Sequence, residues 1–272
     1  MYKKSLKIFC AATAAAAVLR ALLQGLFVHI KTGFYLGGGI LVYLLPAVML
    51  CGILGIVFFA FAEKIDTDGK LRGNRFIEVT MVILAAVIGA VSAVRLPAAL
   101  SIDSDKVMVN VLPKFFQVAE HILGIVSALV LIYMAFCFLS GAKRSGTHGI
   151  IALIPAIWQT IAMADRFISF REVSTVSDQF IETMYLVCAT LFFLAHARCV
   201  ANIAKSRRPC VIWGLLASHF GLVLAAGQCA AVMVLGKGIY GPPMIQIALI
   251  SAFSIYSVSI AASLALSPAE KE

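Results

Sequence analysis

Long apolar runs alternate with short polar segments along almost the whole chain. A helix needs about 20 residues to cross a hydrocarbon core of roughly 30 Å, and eight runs of the sequence reach about that length. They cover approximately residues 7–29, 39–62, 76–95, 115–140, 148–170, 178–203, 210–235 and 242–266. Backbone polar groups in lipid must be satisfied within their own segment, so these runs predict helices. The alternating segments of about ten residues that are typical of a barrel do not occur. The pattern predicts an all-α, polytopic membrane helix bundle of about eight transmembrane helices, with residues 1–272 as a single integral membrane domain.

The first apolar run follows a basic segment, MYKKSLK, which is the layout of a secretory signal. The Ala-rich stretch is followed by RALLQGLFVHI, which stays apolar where a cleaved signal would give way to a soluble start. We therefore expect a retained first helix.

The composition excludes a soluble protein. Hydrophobic residues make up 62% of the chain and charged residues 13%, and the mean hydropathy is +1.00. A soluble domain carries about 25% charged residues. A nucleic-acid-binding protein would need a basic patch on a folded soluble surface, and the apolar runs leave no such surface.

Lys and Arg are distributed unevenly between the two sides of the predicted bundle. With the N-terminus in the cytoplasm, the inner side carries about twice as many of them as the outer side, as the positive-inside rule requires. Eight spans then place both termini in the cytoplasm. The net charge of +9 reflects this topology and attraction to anionic head groups, so membrane lipids are the expected partners. We expect a multi-pass protein of the inner (plasma) membrane, and the lack of N-x-[ST] sequons is typical of a bacterial protein.

The segment MADRFISFREVSTVSDQFIET, residues 163–183, concentrates ionisable side chains between two apolar runs. Charges in its turn have an ordinary explanation, because acidic residues cap helices and favour the positive end of the helix dipole. Asp165, Arg166 and Glu182 abut the apolar runs themselves, where charge is costly. These three are therefore the stronger candidates for a site.

Ionisable residues collect at one predicted depth, the outer ends of the third to sixth runs. Such groups are rare within spans and usually face a partner or a water-filled cavity. The simplest arrangement pairs the two arginines of this set with its two glutamates. These pairs either hold helices together or line a ligand vestibule, and the sequence leaves both open. The candidates are Arg95, Glu120, His121, Asp165, Arg166 and Glu182.

Two further candidates lie deeper in the first run. Arg20 falls well inside its span, where insertion costs about 2.5–3.5 kcal/mol. Gln24 follows one helical turn later on the same face. Both are candidates for a ligand site or for a local polar contact. Other deep polar residues are Gln159, His219, Gln228 and Gln246.

Small residues and prolines predict how the helices pack. Small residues recur at four-residue spacing in the third and seventh runs, and such faces let backbones approach closely. We therefore expect these two helices to be central. Pro46 and Pro155 lie inside the second and fifth runs, where each removes a backbone hydrogen bond and permits a kink.

Motifs for catalysis, metals and cofactors are absent from the sequence. No H-E-x-x-H, G-x-S-x-G or P-loop motif occurs, and no span contains the buried lysine that a retinal Schiff base needs. The seven cysteines show no C-x-x-C spacing and are expected to be free. We expect neither an enzyme nor a bound metal or cofactor. One alternative is a pair of b-type haems, ligated by the histidines that lie near both faces. They are His29, His121, His196 and His219.

Two functions remain open. The first is transport or binding of a small polar or anionic molecule, through an outward-facing vestibule lined by the third to sixth helices. The alternative is a non-catalytic subunit or sensor that packs against another membrane protein or a second copy of itself. An intramembrane enzyme ranks third.

Overall fold

The computed structural model describes residues 4–29, 35–37, 39–63, 74–101, 111–140, 146–169, 176–236 and 244–266. The side chains of 111–113, 169, 176–178 and 235 are outside this description. In the described part of the chain there are nine helices. They are α1 (Lys4–Leu26), α2 (Ile40–Ala62), α3 (Arg75–Leu100), α4 (Val111–Leu139), α5 (Gly146–Ile151), α6 (Ile154–Ser169), α7 (Val176–Val200), α8 (Arg207–Leu235) and α9 (Met244–Leu266).

Eight spans are long and apolar enough to cross a membrane, which confirms the predicted helical membrane bundle. Seven are single helices, and the eighth consists of α5 followed by α6. Their outward-facing side chains are largely apolar: Tyr43 and Met233, for example, are 78% and 84% exposed. Apolar side chains on the outside of a helical bundle are stable in contact with lipid rather than with water. The protein is therefore an integral, multi-pass membrane protein.

The fifth span is broken between α5 and α6, next to Pro155. Proline has no N–H to donate to the carbonyl oxygen of Ile151, and its ring clashes with that carbonyl. Pro46 has the same chemistry, yet α2 continues through it as one helix. The expected kink is thus present at Pro155 as a break, and α6 begins as a separate helix.

The predicted connector 96–114 is shorter in the structure than in the sequence analysis. Helix α3 continues to Leu100 with Pro97 in its last turn, and α4 begins at Val111 with Pro113 in its first turn. A proline in the first turn loses no helical hydrogen bond, because N–H groups there have no partner within the helix. Arg95 consequently lies inside α3 and not at its end.

Helix α8 lies at the centre of the bundle, in contact with α1, α2, α7 and α9. In its most apolar stretch, 83% of the residues are buried, against 50% for α3. The prediction that the seventh span is central is confirmed, whereas α3 packs mainly against α4 and α9 at one side. Gly221 shows why small residues matter on α8: an added Cβ would collide with Ser254 Oγ of α9.

A seryl network, which we define as Ser218, Ser254 and Ser257, joins α8 to α9. Ser218 Oγ lies 2.7 Å from Ser257 Oγ and 2.9 Å from the carbonyl oxygen of Ser254. Ser254 Oγ donates to the carbonyl oxygen of Ile250 at 2.7 Å. All three side chains are fully buried. Because each hydroxyl has a partner, the network fastens the two helices without exposing polar atoms to lipid.

Candidate functional site

The outer end of the bundle, named for the expected orientation, is where α1 ends and α2 begins. Alternating chain direction brings one end of α3, α4, α6, α7 and α9 to this same level. Six candidates from the sequence lie there and form what we call the outer charge cluster. Its members are Arg95, Glu120, His121, Asp165, Arg166 and Glu182.

Arg166 is the centre of the outer charge cluster. Its Nε lies 3.4 Å from Glu182 Oε1, so α6 and α7 share an ion pair. Its Nη2 donates to Gln246 Oε1 on α9. The guanidinium also acts electrostatically on Glu120 and Arg95, which places α4 and α3 around the same group. One side chain thus links five helices.

The carboxyl groups of Glu120 and Asp165 approach each other from α4 and α6. They are close enough for a side-chain hydrogen bond between them, and Arg95 and Arg166 lie within electrostatic range of Glu120. Asp165 is 6% exposed, and none of the described residues supplies a hydrogen-bond partner for its Oδ1. An oxygen in that position costs free energy unless something outside the described contacts satisfies it.

His121 and Glu182 complete the cluster. His121 is buried on α4 and is affected by the charges of Arg95 and Arg166. Glu182 is buried on α7 and lies near the hydroxyl of Tyr185 one turn further on. The cluster therefore combines three carboxyl groups, two guanidinium groups and one imidazole.

A small cavity lies directly beneath the cluster. Its volume is about 30 Å³, which is room for about two water-sized groups. The polar groups around it come from Glu120, Arg166, Gln159 and Gln246, and the aromatic floor comes from Trp158, Tyr185 and Phe253. Apolar side chains of α6, α7 and α9 close the remaining sides.

Trp158 is the most informative residue of this cavity. It is 4% exposed, and its indole Nε1 has no hydrogen-bond partner among the described residues. Indole nitrogen can only donate, so it requires an acceptor. The indole approaches α4 at Gly124, where an added Cβ would lie 3.1 Å from Nε1 and would collide with Ser92 Oγ of α3. Glycine at this position lets three helices meet just below Glu120.

Arg20 and Gln24 do not join the outer charge cluster. They lie on α1 against α8, where an added Cβ at Gly227 would be 2.5 Å from Gln24 Oε1 and 2.7 Å from Arg20 Cγ. Arg20 is fully buried and its Nη1 donates to the hydroxyl of Tyr35 at 2.8 Å. These two candidates therefore lie between α1 and α8, apart from the described contacts of the cluster.

The structure adds residues that the sequence analysis did not assign to the site. Gln246 was grouped with the deeper polar residues, yet it contacts Arg166 near the start of α9. Counting residues from the start of its span would have placed it at the outer end. Trp158 and Gly124 carry no such signal, because aromatic and small residues are common in every span.

Part of the segment 163–183 lies outside the described residues. Arg171 and Glu172 belong to that part, and the side chain of Asp178 is not described either. The predicted capping of the sixth span by acidic residues therefore remains a prediction.

The haem alternative finds no support in the surroundings of the inner histidines. His219 Nδ1 lies 2.8 Å from Thr13 Oγ1, and an added Cβ at Gly52 would be 3.4 Å from its Nε2. His196 Nε2 lies 3.2 Å from the hydroxyl of Tyr256. Both rings are packed between helices at 0–2% exposure, without the space that a porphyrin needs. Among the described residues, no three His, Cys, Asp or Glu side chains are placed to hold a metal ion.

In comparisons with known proteins, no family model, curated protein or solved structure matches the chain.

Proposed function

We propose that this protein binds and transports a small polar molecule that carries an anionic group, through the cavity beneath the outer charge cluster. The observation that carries the proposal is the group of donors around this cavity. The guanidinium of Arg166 and the amides of Gln159 and Gln246 border it, together with the indole of Trp158. The indole Nε1 has no acceptor among the described residues.

Donor chemistry favours an anionic group over a cation. A buried donor without a partner costs about 1–3 kcal/mol, and an incoming carboxylate or phosphate oxygen would remove that cost at Trp158. Arg166 offers the charge-assisted hydrogen bonds that planar anions accept best. Its pair with Glu182 is partly exposed at 25% and 10% of the two side chains. Because a quarter of the Arg166 side chain is exposed, an anion can reach its guanidinium.

The broken fifth span supports transport over static binding. Helix α6 supplies Trp158, Gln159, Ala162 and Arg166 to the cavity, and the break at residues 152–153 separates it from α5. Discontinuous helices commonly form the substrate sites of secondary transporters, where one half moves against the rest of the bundle. We infer that α6 moves as a unit about this break. The proposal involves no covalent chemistry, and it places the protein in the inner membrane with the cavity facing outward.

The sequence supplies its own reporter for a test, because it contains two tryptophans, Trp158 and Trp213. Trp213→Phe leaves Trp158 as the sole indole. In lipid nanodiscs, we expect sodium acetate or sodium phosphate to change Trp158 emission saturably, at constant ionic strength set with sodium chloride. Choline should give no saturable change, since the cavity offers donors to anions. A flat response to both anions would refute the proposed site.

Arg166→Gln in the Trp213→Phe background tests the role of the guanidinium. The saturable response should move to acetate concentrations about 10- to 150-fold higher while the protein stays folded. Arg198→Gln is the matched control, because Arg198 is exposed at the other end of α7. If the Arg166→Gln protein still shows the saturable fluorescence response and only its thermal stability falls, the cluster serves to hold helices together. That result would favour a non-catalytic subunit or sensor.

A further inference from the structure

We propose that Glu120 and Asp165 form a proton-binding site, and that an anion bound at Arg166 is taken up together with a proton. The inference rests on the proposed function, because it names the ion that accompanies the ligand at the same site.

The first argument is the charge balance of the outer charge cluster. Its described members include three carboxyl groups, from Glu120, Asp165 and Glu182, against two guanidinium groups, from Arg95 and Arg166. With every group ionised, the cluster carries a surplus negative charge in a buried setting. An uncompensated charge there costs several kcal/mol. One bound proton makes the cluster neutral.

The second argument is the position of the two carboxyl groups. Glu120 and Asp165 are within reach of a direct hydrogen bond. Two carboxylate oxygens repel each other at that separation, and a proton held between them turns the repulsion into a hydrogen bond. Glu182 is held differently, because its partner is Arg166 at 3.4 Å. The proton therefore belongs to the Glu120–Asp165 pair.

The third argument is independent of the pair. Glu120 lines the cavity together with Trp158 and Arg166, and the buried indole Nε1 of Trp158 has no acceptor among the described residues. Glu120 thus faces the place where the ligand is proposed to bind. Asp165 lies within hydrogen-bond reach of Glu120, and no described residue supplies a partner for its buried Oδ1. This arrangement connects the proton site to the ligand site through one side chain.

Other charged and titratable groups surround the pair, and they determine how anion binding at Arg166 affects its protonation. Arg95 of α3 and Arg166 of α6 favour the ionised carboxylate of Glu120, and Glu182 of α7 shares the guanidinium of Arg166. His121 of α4 and Tyr185 of α7 complete the titratable surroundings, and Gln246 of α9 does not titrate. An anion at Arg166 adds negative charge beside the pair. It therefore makes deprotonation harder, and by linkage the protonated pair binds the anion more tightly.

The test is the pH dependence of acetate binding, read from Trp158 in the Trp213→Phe protein. Affinity should rise as pH falls from about 9, by up to about tenfold per pH unit if one proton accompanies each anion, and should level off at the pH where the pair is already protonated without acetate. Glu120→Gln imitates the protonated pair, so acetate should bind with high affinity at every pH. Asp165→Asn should behave in the same way. Glu78→Gln is the matched control, because Glu78 is a buried glutamate at the other end of α3, and it should keep the pH dependence.

Infrared spectroscopy of the protein without probe provides a separate measurement. The C=O stretch of a protonated carboxyl group should be present at neutral pH, and Glu120→Gln or Asp165→Asn should remove it. Absence of this band overturns the proton site even if acetate binds.

The fluorescence outcomes separate the two proposals. Saturable acetate binding that does not change with pH, or that weakens as pH falls, overturns the coupling and leaves the proposed function intact. No saturable binding at any pH overturns the proposed function, and the infrared band then decides the proton site by itself.

Discussion

The outer charge cluster and the seryl network are both polar groups within an apolar bundle, but they are built differently. In the seryl network every hydroxyl has a partner: Ser218 contacts Ser257 Oγ at 2.7 Å, and Ser254 donates to Ile250 at 2.7 Å. In the cluster, Asp165 Oδ1 and the neighbouring Trp158 Nε1 have none among the described residues. The polar atoms of the seryl network satisfy each other, whereas the described contacts leave polar atoms at the cluster without a hydrogen-bond partner.

This difference distinguishes polar groups that only join helices from polar groups that the proposed ligand and proton would satisfy. Polar groups in a membrane bundle are tolerated when they satisfy each other, and such contacts contribute about 0.6 kcal/mol on average. Unsatisfied donors and surplus charge cost free energy, and proteins retain them where a ligand or an ion pays that cost. The cavity of about 30 Å³ lies beside the unsatisfied region. Four measurements test this difference between the two regions.

The first measurement is the membrane topology, for which each reporter position reads as either inside or outside. If the cluster faces outward, reporter fusions must separate the two ends of the bundle completely, because each span reverses the direction of the chain. A reporter at position 207 that reads as external would break both the eight-span count and the placement of the cluster. We expect Lys70, Arg144 and Arg207 inside, with Asp105, Glu172 and Lys237 outside.

Arg166→Gln should have the largest effect on binding. Hydrogen bonds to a charged group contribute about 1.5–3 kcal/mol, so acetate affinity should fall by about 10- to 150-fold. The measurement is Trp158 fluorescence in the Trp213→Phe protein. Ser218→Ala, which alters the seryl network, should leave acetate affinity unchanged. An equal loss of affinity in both variants would remove the distinction between the two regions.

The fold was largely predictable from the sequence, because the length and apolarity of a span are local properties. The eight spans and the break beside Pro155 follow from apolar length and from the missing proline N–H. The continuation of α3 past Arg95 was missed, since Pro97 suggests an end to the helix although a proline in the last turn removes only one hydrogen bond.

The site was predictable only in its charged members. Charge inside a span is conspicuous, so all six cluster residues could be chosen from one sequence. Gln246, Trp158 and Gly124 could not, because their role depends on which face of a helix meets which neighbour. Arg20 shows the converse: its depth is unusual in the sequence, and in the structure its Nη1 donates to the hydroxyl of Tyr35, away from the cluster. The depth of a residue in the membrane can be predicted from its position within a span. The neighbour that its side chain faces depends on how the helices pack.

A charge exchange between Arg166 and Glu182 should have an intermediate effect. Each single change, Arg166→Glu or Glu182→Arg, should lower the free energy of unfolding by about 1–3 kcal/mol, between the values for exposed and buried pairs. The double variant should recover part of that stability. It should not recover acetate binding, because a carboxylate at 166 would face Glu120 and Gln246 where a donor is needed. Thermal unfolding in detergent and Trp158 fluorescence measure the two effects. If the double variant recovers both stability and acetate binding in full, the Arg166–Glu182 pair only joins α6 to α7.

Ser218→Ala should have the smallest effect, and only on stability. It removes the hydroxyl that contacts Ser257 Oγ and the carbonyl oxygen of Ser254, while Ser257 keeps a contact of 3.2 Å to the same carbonyl. Since one partner remains, the loss should be close to the average of about 0.6 kcal/mol for such contacts. Ser251→Ala, at a half-buried position of α9 outside the seryl network, is the control for thermal unfolding. A loss of several kcal/mol at Ser218, or any change in the Trp158 response, would mean that the network is coupled to the cavity, and the two regions would have to be treated as one.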